Sequence, residues 1–131
     1  MGAWPEDRRA QLGRETWRGF AAAKELTDVA AGIILISLPG HTCGHACVAV
    51  DTGTRWLLHC GDAFYHPGTL DSGPVPRSLR AMETALAWDL KQVHDNHARL
   101  AELYRRNEPD LVIINSHDRT LLEKALEAHT R

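Results

Sequence analysis

Three short apolar runs, each closed by small or polar residues and each delivering an ionisable side chain, constrain this chain more than any other feature. Ile33-Ile-Leu-Ile-Ser-Leu38 ends in Pro39-Gly40 and delivers His41. Arg55-Trp-Leu-Leu-His-Cys60 ends in Gly61 and delivers Asp62. Leu111-Val-Ile-Ile-Asn-Ser116 delivers His117-Asp118. Runs of this length, rich in Leu and β-branched residues and bounded by turn formers, read as buried strands. In open α/β sheets ligands bind beyond the carboxyl ends of the strands. The pattern therefore predicts one rim carrying a His, an Asp and a His. Imidazole and carboxylate are donor types that zinc and similar divalent cations accept.

Around these runs the chain reads as an α/β (α+β) protein with one mixed sheet covered by helices. Val48–Asp51 and Arg55–Cys60 flank Thr52-Gly-Thr54, a hairpin signal that makes the two strands antiparallel neighbours. Pro67, Gly68, Gly73, Pro74 and Pro76 predict loop over 63–75. From Pro76 the period changes. Leu79, Met82, Leu86, Leu90, Val93, His97, Leu100 and Tyr104 step by three or four, an apolar stripe on one helix or on two meeting near Trp88-Asp89. His97 lies on that stripe and reads as a core histidine. A last helix over 120–128 should turn Leu121, Leu122, Ala125 and Leu126 inward.

Residues 1–31 are read as an N-terminal covering segment and residues 32–131 as the domain proper. Trp4-Pro5 reads as a turn or terminus. Trp17, Phe20, Ala21 and Lys24 have helical spacing, with Asp7 and Thr16 as caps, while Gly13 and Gly19 weaken the propensity.

At 131 residues the chain suits one domain with a modest core. A net charge of −2 gives no reason to expect nucleic acid or an anionic membrane as a partner. No apolar stretch approaches the roughly 20 residues a membrane helix needs. The first residues have no apolar signal core, so the expected compartment is the cytoplasm. Three cysteines without framework spacing favour free thiols. His41, Cys43, His45 and Cys47 alternate, which puts them on one face of a strand, and four donors in a row cannot wrap a tetrahedron. Cys60 reads as packing.

Taken together, Pro39-Gly-His-Thr-Cys-Gly-His45, Leu58-His-Cys-Gly-Asp-Ala-Phe-Tyr65 and Asn115-Ser-His-Asp118 resemble the later motifs of the metallo-β-lactamase-fold metallohydrolases, a superfamily that includes glyoxalase II-like thioesterases and N-acyl-homoserine-lactone lactonases. The resemblance runs from about Ile33 to the C-terminus and implies the C-terminal half of that αβ/βα sandwich. It implies His41, Asp62 and His117 as metal ligands, with Asp62 bridging, and zinc as the metal. It implies that Tyr65 contacts a substrate carbonyl and that Asp62 and Tyr65 serve catalysis. His45 is then an outer residue orienting the loop of His41. Asp118 is either an outer partner of His117 or the N-cap of the last helix. The reaction implied is hydrolysis of a small-molecule ester, thioester or lactone by metal-bound hydroxide.

The family's other ligands lie in a His-x-His-x-Asp-His string, which this sequence lacks. His94-Asp-Asn-His97 has different spacing and sits in the helical stretch. The expected consequences are an incomplete site, inactivity of this chain alone, and an apolar sheet face left bare. That face would lead to a homo-oligomer or to pairing with a missing N-terminal half. The rival reading is a non-catalytic partial fold that serves as an association module.

Overall fold

The computed structural model describes residues 15–130. The expectations for Trp4-Pro5, Asp7 and Gly13 lie outside the described residues. Six strands form one sheet in the order β1-β2-β3-β4-β5-β6. They are β1 (Glu15–Trp17), β2 (Phe20–Glu25), β3 (Ile33–Ser37), β4 (Ala46–Asp51), β5 (Trp56–His59) and β6 (Leu111–Ile114). All neighbours are antiparallel except β5 and β6. The helices are α1 (Gly68–Asp71), α2 (Arg77–Leu86), α3 (Leu90–Arg105) and α4 (Arg119–Thr130).

The sheet topology creates the rim. β3 opposes β4 and β4 opposes β5, so β3 and β5 run the same way, and β6 is parallel to β5. The carboxyl ends of β3, β5 and β6 therefore lie on one edge, as the three apolar runs predict.

The short helix or irregular covering segment expected around Trp17–Lys24 is neither: a hairpin stands in its place. Trp17 pairs directly with Phe20 across a two-residue turn, and Arg18 and Gly19 both adopt positive φ (47° and 88°). Positive φ at both central residues is the requirement of a type I′ turn. The three-residue spacing of the aromatics is thus a cross-strand contact, not a helical turn. The Arg18 guanidinium holds the hairpin to the loop before β6, donating to both oxygens of Asp110 (3.0 and 2.8 Å) and to Glu108 (2.9 Å).

One sheet face makes the core. Ile36, Leu38, Cys47, Ala49, Leu58 and Cys60 pack with Phe64, Leu70 of α1, and Leu100 and Leu103 of α3. The opposite face, by register, carries Ile33, Leu35, Val48, Val50, Leu57 and Val112, all half-buried. An alternation apolar on both faces is characteristic of a sheet covered on both sides.

The helical stripe divides into α2 and α3 at Ala87-Trp88-Asp89, where Asp89 caps α3 by accepting from the Gln92 N–H. The stripe is only partly inward. Of the stripe, Val93 and Leu100 are buried, whereas Met82, Leu86, Leu90 and Tyr104 are exposed and α2 buries no residue. His97 is not a core histidine: its Nε2 donates to Glu83 of α2 at 3.2 Å. In α4, Leu121 packs on the core, while Leu122 and Leu126 face solvent, contrary to expectation. The proline- and glycine-rich stretch 63–75 contains the one-turn helix α1. No helix among the described residues is long and apolar enough to cross a membrane.

Candidate metal centre

Each rim residue is held by backbone bonds that the local sequence provides. His41 follows Gly40, whose carbonyl accepts the Asp89 N–H at 2.9 Å; the His41 carbonyl accepts the Trp88 N–H at 3.1 Å. A Cβ on Gly40 would stand 3.0 Å from both Asn96 Nδ2 and Val93 N. Only glycine lets the start of α3 approach this closely. Asn96, buried on α3, donates to the Pro39 carbonyl at 2.9 Å. Asp62 follows Gly61, which sits at φ 55°, a left-handed conformation that favours glycine. The Gly61 carbonyl accepts the Ser116 N–H at 2.9 Å, which ties the Asp62 turn to the His117 turn.

On this frame His41, Asp62 and His117 converge. His117 Nε2 donates to Asp62 Oδ1 at 2.7 Å, and His41 Nε2 lies 3.5 Å from Asp62 Oδ2. The Tyr65 hydroxyl is 3.4 Å from His41 Nδ1, and the Tyr65 ring lies 4.3 Å from that of His117, centroid to centroid. Tyr65 is buried, with its hydroxyl at the rim. Burial pushes its ionisation up, and the negative charges of Asp62 and Glu83 push it further, so the phenol stays protonated at neutral pH.

His45 joins the two loops. Its Nδ1–H donates to the Leu38 carbonyl at 3.2 Å, and its Nε2 accepts the Asp62 N–H at 3.0 Å. That pairing needs a neutral ring, and burial lowers its proton affinity accordingly. Asp118 is the N-cap of α4, accepting the Leu121 N–H at 2.9 Å.

Sequence reasoning missed Asn115. Its buried side chain donates to the Phe64 carbonyl at 2.7 Å and accepts the Asp118 N–H at 2.9 Å, spanning the Asp62 and His117 loops. Asn96 was missed for the same reason. Both bond to backbone, which leaves no pattern of paired side chains to read.

Two imidazoles and one carboxylate suit a divalent cation, and three protein donors are the number a catalytic zinc keeps. Here His117 and Asp62 are in direct hydrogen-bond contact, and His41 lies within ion-pair distance of Asp62. Among the described residues no group of three or more His, Cys, Asp or Glu side chains is placed to hold a metal ion as it stands. The three side chains therefore match a divalent cation in donor type but not in their present arrangement. Nor do the described residues hold a donor set for a second cation.

No family model matches the chain. Two curated proteins, both named probable metallo-hydrolase, from Mycobacterium tuberculosis and Mycobacterium bovis, are 54% identical to it over 112 residues, covering 85% of this chain and 36% of each relative. The chain thus spans about a third of the length of the curated relatives it matches. Among solved structures, an N-acyl homoserine lactone hydrolase with N-hexanoyl-L-homoserine bound at its catalytic metal centre superposes with a TM-score of 0.53 at 21% identity, over 78% of this chain and 36% of that one. A quorum-quenching N-acyl homoserine lactone lactonase gives 0.51 at 22% identity, over 75% of this chain and 35% of that one. At such identities the likeness establishes the fold.

Proposed function

We propose that this chain belongs to the metallo-β-lactamase-fold superfamily, carries the C-terminal half of that fold, and supplies one side of a metal-dependent hydrolytic site for small-molecule esters, thioesters or lactones, a reading supported by the metallo-hydrolase relatives and the lactonase-like fold. The observation that carries the reading is the convergence of His41 Nε2 and His117 Nε2 on the two oxygens of Asp62. His41, Asp62 and His117 would hold one divalent cation, zinc by the chemistry of its donors. Such a cation, when bound, polarises a carbonyl and lowers the pKa of a coordinated water.

The protein's own residues have distinct tasks. With Nε2 of His41 turned to the cation, Nδ1 carries the proton and donates to the Tyr65 oxygen. The Tyr65 O–H is then free to donate to a substrate carbonyl as negative charge develops there. Asp62 places a carboxylate where a proton released by an attacking water can be accepted. His45 fixes the spacing between the loops of His41 and Asp62. The missing donors for a second cation would come from a segment bearing the His-x-His-x-Asp-His string.

Calorimetric titration of the chain with zinc tests this reading, first alone and then with such a segment supplied in trans. Stoichiometric uptake that disappears in His117→Ala supports it, as does ester hydrolysis gained on complementation. No uptake under either condition refutes it.

A second reading, an association module without catalysis, draws on the apolar reverse face of the sheet. A soluble, compact monomer by light scattering would speak against it, whereas a dimer that takes up no zinc would favour it. Under both readings we place the chain in the cytoplasm.

A further inference from the structure

Cys47, in β4, and Cys60, just past the end of β5, pack in the core and take no part in the site described above. Both are buried free thiols, at 2% and 0% exposure. The β4–β5 register pairs Val48 with His59, so the next step of the ladder sets Cys47 opposite Cys60. The kind of pair follows from the turn. Thr52 N–H donates to the Arg55 carbonyl at 2.9 Å, which makes those two a hydrogen-bonded pair. Antiparallel ladders alternate. Asp51/Trp56 is then a non-hydrogen-bonded pair, Val50/Leu57 bonded, Ala49/Leu58 non-bonded, Val48/His59 bonded, and Cys47/Cys60 non-bonded. The Cys60 N–H confirms this by donating away from β4, to Ile114 of β6 at 2.8 Å. Non-hydrogen-bonded pairs have the closer backbones, with Cα atoms about 4.5 Å apart. A disulfide accepts Cα separations of about 4.4–6.8 Å.

We propose that Cys47 and Cys60 are a peroxide-sensitive pair that closes to a cross-strand disulfide beneath the rim. Hydrogen peroxide oxidises the Cys47 thiol to a sulfenic acid, and one water leaves. The Cys60 sulfur then attacks the Cys47 sulfur. The S–S bond forms, the S–O bond breaks, and the departing hydroxide takes the Cys60 proton as a second water. Two thiols and one hydrogen peroxide thus give one disulfide and two waters. The pair stands one step beyond the last regular rung of the β4–β5 ladder, and oxidation requires the strand end to open and admit the peroxide.

The bond would lock the base of both loops that His45 joins. His45 precedes Cys47 by two residues and Asp62 follows Cys60 by two. Closure is independent of whether the rim binds a cation.

The test uses the full chain carrying Cys43→Ser, so that the exposed third thiol cannot scramble. After hydrogen peroxide treatment in native buffer, the sample is quenched with iodoacetamide under denaturing conditions. Expected are a loss of about 2 Da relative to the reduced chain, a linked peptide pair containing Cys47 and Cys60, and a melting temperature raised by roughly 5–10 °C. Dithiothreitol should reverse all three. The same protocol on the parent chain checks that Cys43 plays no part. Two alkylatable thiols after prolonged treatment overturn the proposal, as do irreversible sulfinic or sulfonic products or linkage between two chains.

Discussion

Replacing His45 measures how much of the rim depends on a single imidazole. The ring makes two hydrogen bonds, to the Leu38 carbonyl and from the Asp62 N–H. Each is worth about 1 kcal/mol net, and each partner left unsatisfied costs about 1–3 kcal/mol. His45→Ala should therefore destabilise the chain by about 2–4 kcal/mol, a large share of the 5–15 kcal/mol typical of a whole domain. Urea unfolding with chelator present would report it as a lower midpoint at unchanged slope. Two further variants divide the effect. Asn reaches only where Nδ1 stands and should keep the Leu38 bond, while Gln reaches only where Nε2 stands and should keep the bond from Asp62. Each should recover about half of the loss. The ring also carries a pH dependence. Its proton affinity is lowered in the folded state by burial, and protonation would set an N–H against the Asp62 N–H. Its contribution is thus fully present above the unfolded pKa of about 6.5 and is lost as pH falls through the lower folded value. His45→Gln should flatten the stability profile in that window. An alanine variant within 0.5 kcal/mol of the parent, roughly the scatter of surface substitutions, would refute the reasoning.

Other expectations follow from the same frame. Gly61→Ala puts a Cβ 2.9 Å from His45 Nε2 at a φ of 55°; it should cost about 2–3 kcal/mol in urea unfolding, combining αL strain with loss of the His45 bond. Asn115→Ala should cost about 2–3 kcal/mol by the same assay and weaken calorimetric zinc uptake by about 10- to 100-fold, since both rim loops lose their common tie. Arg18→Lys should behave like Arg18→Ala in thermal melts, because an ammonium cannot reproduce the forked contact with Asp110. The Arg18 guanidinium holds the Asp110 carboxyl below its ordinary range. That contribution is present above about pH 4 and lost as pH falls through the lowered value, a decline that Arg18→Ala should abolish.

The rim was legible in the sequence because three apolar runs end in glycine or small polar residues at the places where ionisable side chains follow. Strand direction was implicit in the hairpin signal at Gly53 and in the long helical stretch before Leu111. The N-terminal hairpin was not legible, since Trp17 and Phe20 are separated by three residues, a spacing that suits a helix and a two-residue turn equally. What decides between them is positive φ at Arg18, a residue with no special liking for it. The helical period located α2 and α3 but could not say which apolar side chains meet a partner. Met82 and Leu86 share the period of Val93 and Leu100 and still face solvent. His97 looked apolar by position and instead meets Glu83 on the neighbouring helix.

The lone parallel joint in the sheet sets an order of assembly. Strands β1 to β5 are connected by short links, so each closes a small loop when it pairs with the one before. β6 reaches β5 only after the whole segment holding α1, α2 and α3 has been traversed. Contacts between residues distant along the chain carry the larger entropic toll and form late. His117 would then be the last of the three rim side chains to arrive during refolding, docking onto an Asp62 that its own hairpin had already placed.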